Sequence, residues 1–145
     1  MNSQLNLDNF FIEELVLKTN NDFQSKEVTK NQLNVDFLIL NNKDNPLLFK
    51  VVLKIEINKS KKFFESAGFC ILMRLSGFFS VQEKTDENMK KQLISFNAPS
   101  ILYGIARGIV SEATSNTIYG RYILPTINFV ELVKKKAKIK KSTKN

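Results

Sequence analysis

The chain has 145 residues, one domain's worth and enough to bury a core. Apolar residues make up 43% and charged residues 25%, the balance of a soluble globular protein. No membrane span of about 20 apolar residues and no basic signal peptide is expected, which points to the cytoplasm. The net charge of +8 is unevenly placed: the last twelve residues hold seven lysines and no acid, so the body is near neutral and the basic character belongs to a tail.

Residues 1–9 are polar and rich in Asn, and read as a frayed end. Phe10 to Lys18 reads as a first strand, although Glu13 and Glu14 blur its alternation. Residues 19–31 are polar and carry turn formers. Leu33, Val35 and Phe37 then alternate with Asn34, Asp36 and Leu38, the period of a second strand. The run NNKDNP (41–46) is a strong turn signal. The clearest strand follows, with Phe49, Val51, Leu53, Ile55 and Ile57 on one face and Lys50, Val52, Lys54, Glu56 and Asn58 on the other. Such a pattern suits an antiparallel sheet covered on one side. NKSKK (58–62) is read as a turn, and a fourth strand from about Phe63 places Ala67, Phe69, Ile71, Met73 and Leu75 on one face. No helix is expected between these strands, which argues against a parallel sheet.

Beyond SGFFSV (76–81) the pattern changes to helix. Thr85-Asp86-Glu87 can start one. Met89, Leu93, Ile94 and Phe96 follow at roughly helical spacing, and Asn97-Ala98-Pro99 resets the chain. A helix to about Ser115 carries Ile101, Ile105 and Ile109 every four residues, with Gly104 and Gly108 between Ser100 and Ser111. Two glycines on one helix face either admit a close backbone, within or between subunits, or merely reflect composition. Leu124 to Asn128 opens a last helix with Phe129, Leu132 and Val133 as its stripe. Strands followed by helices make this an α+β chain: a four-stranded antiparallel sheet and two main C-terminal helices. One domain is expected over residues 1–139, and a disordered basic tail over 140–145.

Chemistry is mostly missing. There is no His, and Cys70 stands alone, so a His-based triad, a disulfide or a metal-ligand cluster is not expected. Neither phosphate-binding glycine motif is present, so no cofactor is expected. Adjacent Glu13 and Glu14 should point to opposite sheet faces and share nothing. The chain is therefore expected to bind rather than to catalyse. Phe78 and Phe79, beside Gly77 at a strand end, are either core or the lining of an exposed groove. Nucleic acid binding would rest on the lysine tail alone, because no basic residues interleave with the aromatics of the sheet.

Five segments, in order and at matching spacing, carry a family resemblance. FIEELVLKTN (11–20), FKVVLKIEI (49–57) and GFFSV (77–81) resemble the first, third and fourth strands of the SecB export chaperones. NAPSILYGIAR (97–107) is similar to the start of that family's long helix, and LPTINFVEL (124–132) to the opening of its last one. The resemblance implies an ATP-independent holdase that keeps unfolded or precursor polypeptides in apolar grooves and passes them to the SecA motor. It implies a homotetramer, a dimer of dimers with the long helices at the subunit contacts. By position, it implies client contacts at Leu33, Val35, Phe37, Phe78, Phe79, Val81, Leu93, Phe96, Phe129 and Leu132. The subunit contact would use Ile101, Gly104, Ile105, Gly108 and Ser111. Three features depart from the family pattern. Lys18 and Leu72 stand where acids are expected beside Glu14, and lysines replace an acidic tail. A fold relative dedicated to one partner, such as an antitoxin, and uncoupled from SecA is therefore the alternative.

Overall fold

The computed structural model describes residues 3–20 and 30–143, with side chains as far as Lys138. The turn expected over residues 19–31 falls largely outside them. Four strands, β1 (Leu5–Thr19), β2 (Leu33–Asn41), β3 (Leu48–Ile57) and β4 (Phe69–Val81), form one sheet in the order β1-β4-β3-β2. Every neighbouring pair is antiparallel. The two central strands obey the period of two: Val51, Leu53 and Ile55 on β3 and Met73 and Leu75 on β4 are all fully buried. Their intervening residues face a second, uncovered surface of the sheet.

The strand limits differ from the sequence reading at two places. β1 starts at Leu5 rather than Phe10, because Leu5 and Leu7 pair opposite Val81 and Phe79 and bury there. β4 starts only at Phe69, since residues 61–67 form a short helix, α1 (Lys61–Ala67). Ser60 caps α1 by accepting from the Phe63 amide, and Gly68 closes it at φ 86°, a left-handed conformation that suits glycine. A helix thus does separate two strands, but seven residues are too few for a parallel crossover.

A 28-residue helical stretch, Glu87–Thr114, covers the inner face of the sheet. It comprises α2 (Glu87–Gln92), a π-helical turn (Leu93–Asn97) and α3 (Ala98–Thr114). Asp86 caps its start by accepting from the Met89 amide at 2.9 Å. Pro99 has no amide proton to donate, and the helix passes this point as a widened turn rather than breaking. By length and composition this stretch is long and apolar enough to cross a membrane, contrary to the expectation above, which divided it at Asn97–Pro99. Here Leu102, Ala106 and Val110 are fully buried against the sheet, while Gly104 and Gly108 face outward.

The connection after α3 is tied back along it. Tyr103 donates its hydroxyl to the Pro125 carbonyl, and Arg107 Nε donates to the Leu124 carbonyl at 3.0 Å. Buried Thr114 accepts from the Tyr122 amide at 2.8 Å. The last helix, α4 (Phe129–Thr143), begins only after residues 124–128, and Asn128 Oδ1 accepts from the amides of Val130 and Glu131. It carries the backbone of residues 140–143, expected as tail, in helical form, consistent with the good helix propensity of lysine.

Candidate functional site

The first turn of α4 and the segment before it are flanked by two open depressions. One, of about 640 Å³, lies between the π-turn and α4 and is lined by Phe96, Ile101, Ile127, Phe129 and Val130. The other, of about 450 Å³, lies between β2 and α4 and is lined by Leu33, Val35, Leu132, Glu131 and Lys135. Ile127 and Asn128 line both, so the two adjoin, as two arms of a groove, at the segment leading into α4. Apolar side chains are interspersed there with polar ones, Asn97, Ser100 and Thr126 on one side and Asn34, Glu131 and Lys135 on the other, so the lining can take apolar side chains of another molecule and hydrogen-bond its backbone.

Each wall has a local cause. Alternation along β2 turns Leu33 and Val35 to the helical side of the sheet. Fully buried Asn58 pins the start of that strand: its Oδ1 accepts from the Gln32 amide and its Nδ2 donates to Asn31 Oδ1, both at 2.9 Å. Asn58 sits at φ 54°, a conformation that Asn tolerates better than most residues. Phe129 anchors α4, with ring centres 6.0 Å from Phe37 and 5.6 Å from Tyr103. Burial pushes the Tyr103 hydroxyl pKa up to about 12, and the hydroxyl stays protonated as a donor.

The residues implied as client contacts divide. Leu33, Val35, Phe96, Phe129 and Leu132 come together on the groove. Phe37 is buried beneath Phe129 and lines a third depression, of about 310 Å³, on the other side of α4. Leu93 is also buried. The two roles left open for the Phe78–Phe79 pair are both taken, one by each. Phe79 stacks on Phe49 in the core at 5.4 Å, while Phe78 emerges on the uncovered face. Val81 is core as well. On the long helix, Ile101 is exposed and lines the groove, and Ile105 and Ser111 are half-buried. A Cβ added at Gly104 or Gly108 would meet nothing within 4 Å.

Ile127, Asn128 and Val130 are groove residues that the sequence reading does not identify. Reading Leu124–Asn128 as the opening of a helix hides the place of Ile127 on the non-helical segment before α4. An apolar strip on β1 escapes that reading too. Phe10, Ile12 and Leu15 are exposed on the helical side, paired with Gly77, Leu75 and Met73. The signal lies in the first-strand pattern, where Glu13 and Glu14 obscure it.

Those two glutamates correct the expectation that they point apart. A register shift between Ile12 and Glu14 makes a bulge, and both side chains reach Arg74 on the uncovered face. Arg74 Nε lies 3.5 Å from Glu13 and its Nη2 3.9 Å from Glu14. Glu13 also accepts from the Ser76 hydroxyl and lies 3.6 Å from Lys50. The Ser76 hydrogen bond above all, with Lys50 and Arg74 behind it and burial opposing, holds its carboxyl below the usual carboxylate range. Glu56 is likewise paired, with Lys54 and Lys59. Beside these charges, Phe11 and Phe78 meet edge to face at 5.9 Å.

Comparison with known proteins bears on the whole chain. A family model described as preprotein translocase subunit SecB matches residues 1–140. The uncharacterized protein MJ0357 of Methanocaldococcus jannaschii is 27% identical over 124 residues, covering 86% of this chain and 79% of that protein. The protein-export protein SecB of Neorickettsia sennetsu is 24% identical over 132 residues, covering 83% and 79%. Among solved structures, the fold is similar to the Mycobacterium tuberculosis Rv1957 SecB-like chaperone in complex with a ChAD peptide from the Rv1956 HigA1 antitoxin. That match has a TM-score of 0.64 at 10% identity and covers 86% of this chain and 91% of the other.

Proposed function

Because the chain belongs to the SecB family, a chaperone family, we propose that it is an ATP-independent cytoplasmic holdase that binds unfolded or precursor polypeptides and catalyses no reaction. The observation that carries this reading is the pair of adjoining depressions, one holding Leu33, Val35 and Leu132 and the other Phe96, Ile101 and Phe129, that share Ile127 as the two arms of a groove. An extended client segment laid there would remove apolar surface from water and would hold the unfolded state away from aggregation by mass action. The aliphatic and aromatic side chains of the lining contact apolar groups of any sequence, which gives the weak specificity that many clients require. A homotetramer belongs to the same reading. The outward Gly104 and Gly108 on α3 and the exposed Phe10, Ile12 and Leu15 on β1 are surfaces for a second copy. The test is aggregation of a reduced, unfolded client followed by light scattering. Suppression at one tetramer per client is expected, and undiminished scattering would sink the proposal.

A second reading has its own observation. The Rv1957 SecB-like chaperone, similar in fold, is in complex with a peptide from an antitoxin, and a dedicated adaptor of that type would use the same groove. Pull-down from the host distinguishes the two: one dominant protein supports the adaptor, and a spread of precursors supports the general holdase. Transfer to SecA stands outside our proposal. Lys18, which stands where the resemblance implies an acid, and Leu72, near where it implies another, pair on β1 and β4 with Cys70 and Val16, and Glu14 is engaged by Arg74.

A further inference from the structure

Between Phe129 and Thr143, α4 carries six lysines and a single acid, Glu131. Lys134, Lys135 and Lys138 are exposed, and no ion pair joins any of them to an acid among the described residues. Their position matters more than their number. Lys135 lines the β2 side of the groove, one turn from Leu132, and Lys134 and Lys138 stand on the same helix within reach of its rim. Among the described residues, the carboxylate lining that part of the groove is Glu131 alone, and the other polar rim groups, Asn34 and Asn128, are neutral. On the uncovered face of the sheet, by contrast, Lys50, Lys54 and Arg74 each have a carboxylate partner. One wall of the groove thus carries three lysines against one glutamate, a net positive charge.

From this juxtaposition we infer that the groove selects clients whose apolar segments are flanked by Asp and Glu, and discriminates against lysine- and arginine-flanked ones. The inference rests on the groove being the client site and names the class of client it takes. Apolar walls supply affinity without regard to charge. The lysine rim supplies the selection, since complementary rim charges speed encounter and like charges oppose it. Flanking residues of a seated segment would lie within a Debye length of the rim, about 8–10 Å at physiological salt, so the effect is not screened away.

The experiment uses the full chain and three fluorescein-labelled 15-residue peptides that share one Leu/Phe centre and carry Asp/Glu, Ser or Lys flanks. Binding is followed by anisotropy. The acid-flanked peptide is expected to bind about tenfold tighter than the lysine-flanked one near 50 mM salt, a preference that should shrink several-fold by 500 mM. The variant Lys134→Glu/Lys135→Glu/Lys138→Glu is expected to reverse the order of preference. Equal binding of all three peptides would overturn the inference while leaving the groove as client site. Binding of none, together with undiminished client aggregation, would overturn both. A polythymidine oligonucleotide provides the last arm. If it displaces the acid-flanked peptide, and if replacing the peptide's Leu/Phe centre by Ser changes nothing, the lysines serve a polyanion rather than the groove, and the inference fails.

Discussion

Lys136 Nζ on α4 lies 2.7 Å from the Asp36 carboxylate on β2. The same ammonium stands 4.2 Å from the centre of the Phe37 ring and donates to the Phe37 carbonyl. One side chain thus pairs with a charge, an aromatic face and a backbone oxygen of an edge strand. Satisfying that oxygen removes one point at which a foreign strand could pair with β2.

The pair predicts how α4 is held. Asp36 is largely exposed, so the ion pair contributes only about 0.2–1 kcal/mol, and the contact with Phe37 about 0.5–1 kcal/mol. Lys136→Met keeps the stem and removes the charge. It is expected to lower global stability by about 0.7–2 kcal/mol and to speed amide exchange across α4 while β3 and β4 stay protected. Unaltered exchange in α4 would show that its apolar face alone holds it.

Gly77 on β4 leaves room for Leu102 of α3. A Cβ there would lie 2.7 Å from Leu102 Cδ2 and 2.9 Å from the Phe79 ring. Both side chains are fully buried and have no solvent to retreat into. Gly77→Ala is expected to cost about 1–3 kcal/mol by overpacking, read as a lower urea midpoint at unchanged slope. A neutral outcome would mean that Leu102 has a second rotamer available.

Gly104 and Gly108 separate the isolated subunit from an assembly. With open space around both, Ala at either position should stabilise a lone helix, by up to about 1 kcal/mol each. If a second copy packs its backbone there, the double variant Gly104→Leu/Gly108→Leu is expected to shift the sedimenting species towards 16.6 kDa, the mass of one chain. A wild-type chain already sedimenting at that mass would remove the tetramer.

The Glu13 cluster makes stability depend on acid pH in a defined direction. Its carboxyl pKa is lowered from 4.5 by the Ser76 hydrogen bond, Lys50 and Arg74. The folded state therefore prefers the ionised group, whose contribution is complete above 4.5 and disappears as pH falls through the lower folded value. Glu13→Gln is expected to be less stable than the parent at neutral pH, and the difference should shrink towards about pH 3. Urea midpoints of both proteins at the two pH values check this. A constant difference would assign the effect of Glu13 to packing at the bulge rather than to charge.

What the sequence determined by itself is what short-range chemistry encodes. The buried rows of β3 and β4, a helix start at Asp86 and the α+β order follow from side-chain periods and caps that operate within a few residues, whereas the joining of that helix to α3 does not. The absence of His and of phosphate-binding motifs is read from composition alone, and the family resemblance from ordered local segments. The tertiary structure decided everything that depends on distant pairing. Leu5 joined β1 only because Val81 lies opposite. The bulge that turns both Glu13 and Glu14 to Arg74 is a matter of register between β1 and β4. Phe78 and Phe79 parted because consecutive strand residues face opposite ways and one face alone is covered. The groove itself needed β2, the π-turn and α4, which lie up to about a hundred residues apart in the chain and meet only because each must bury an apolar face against the others.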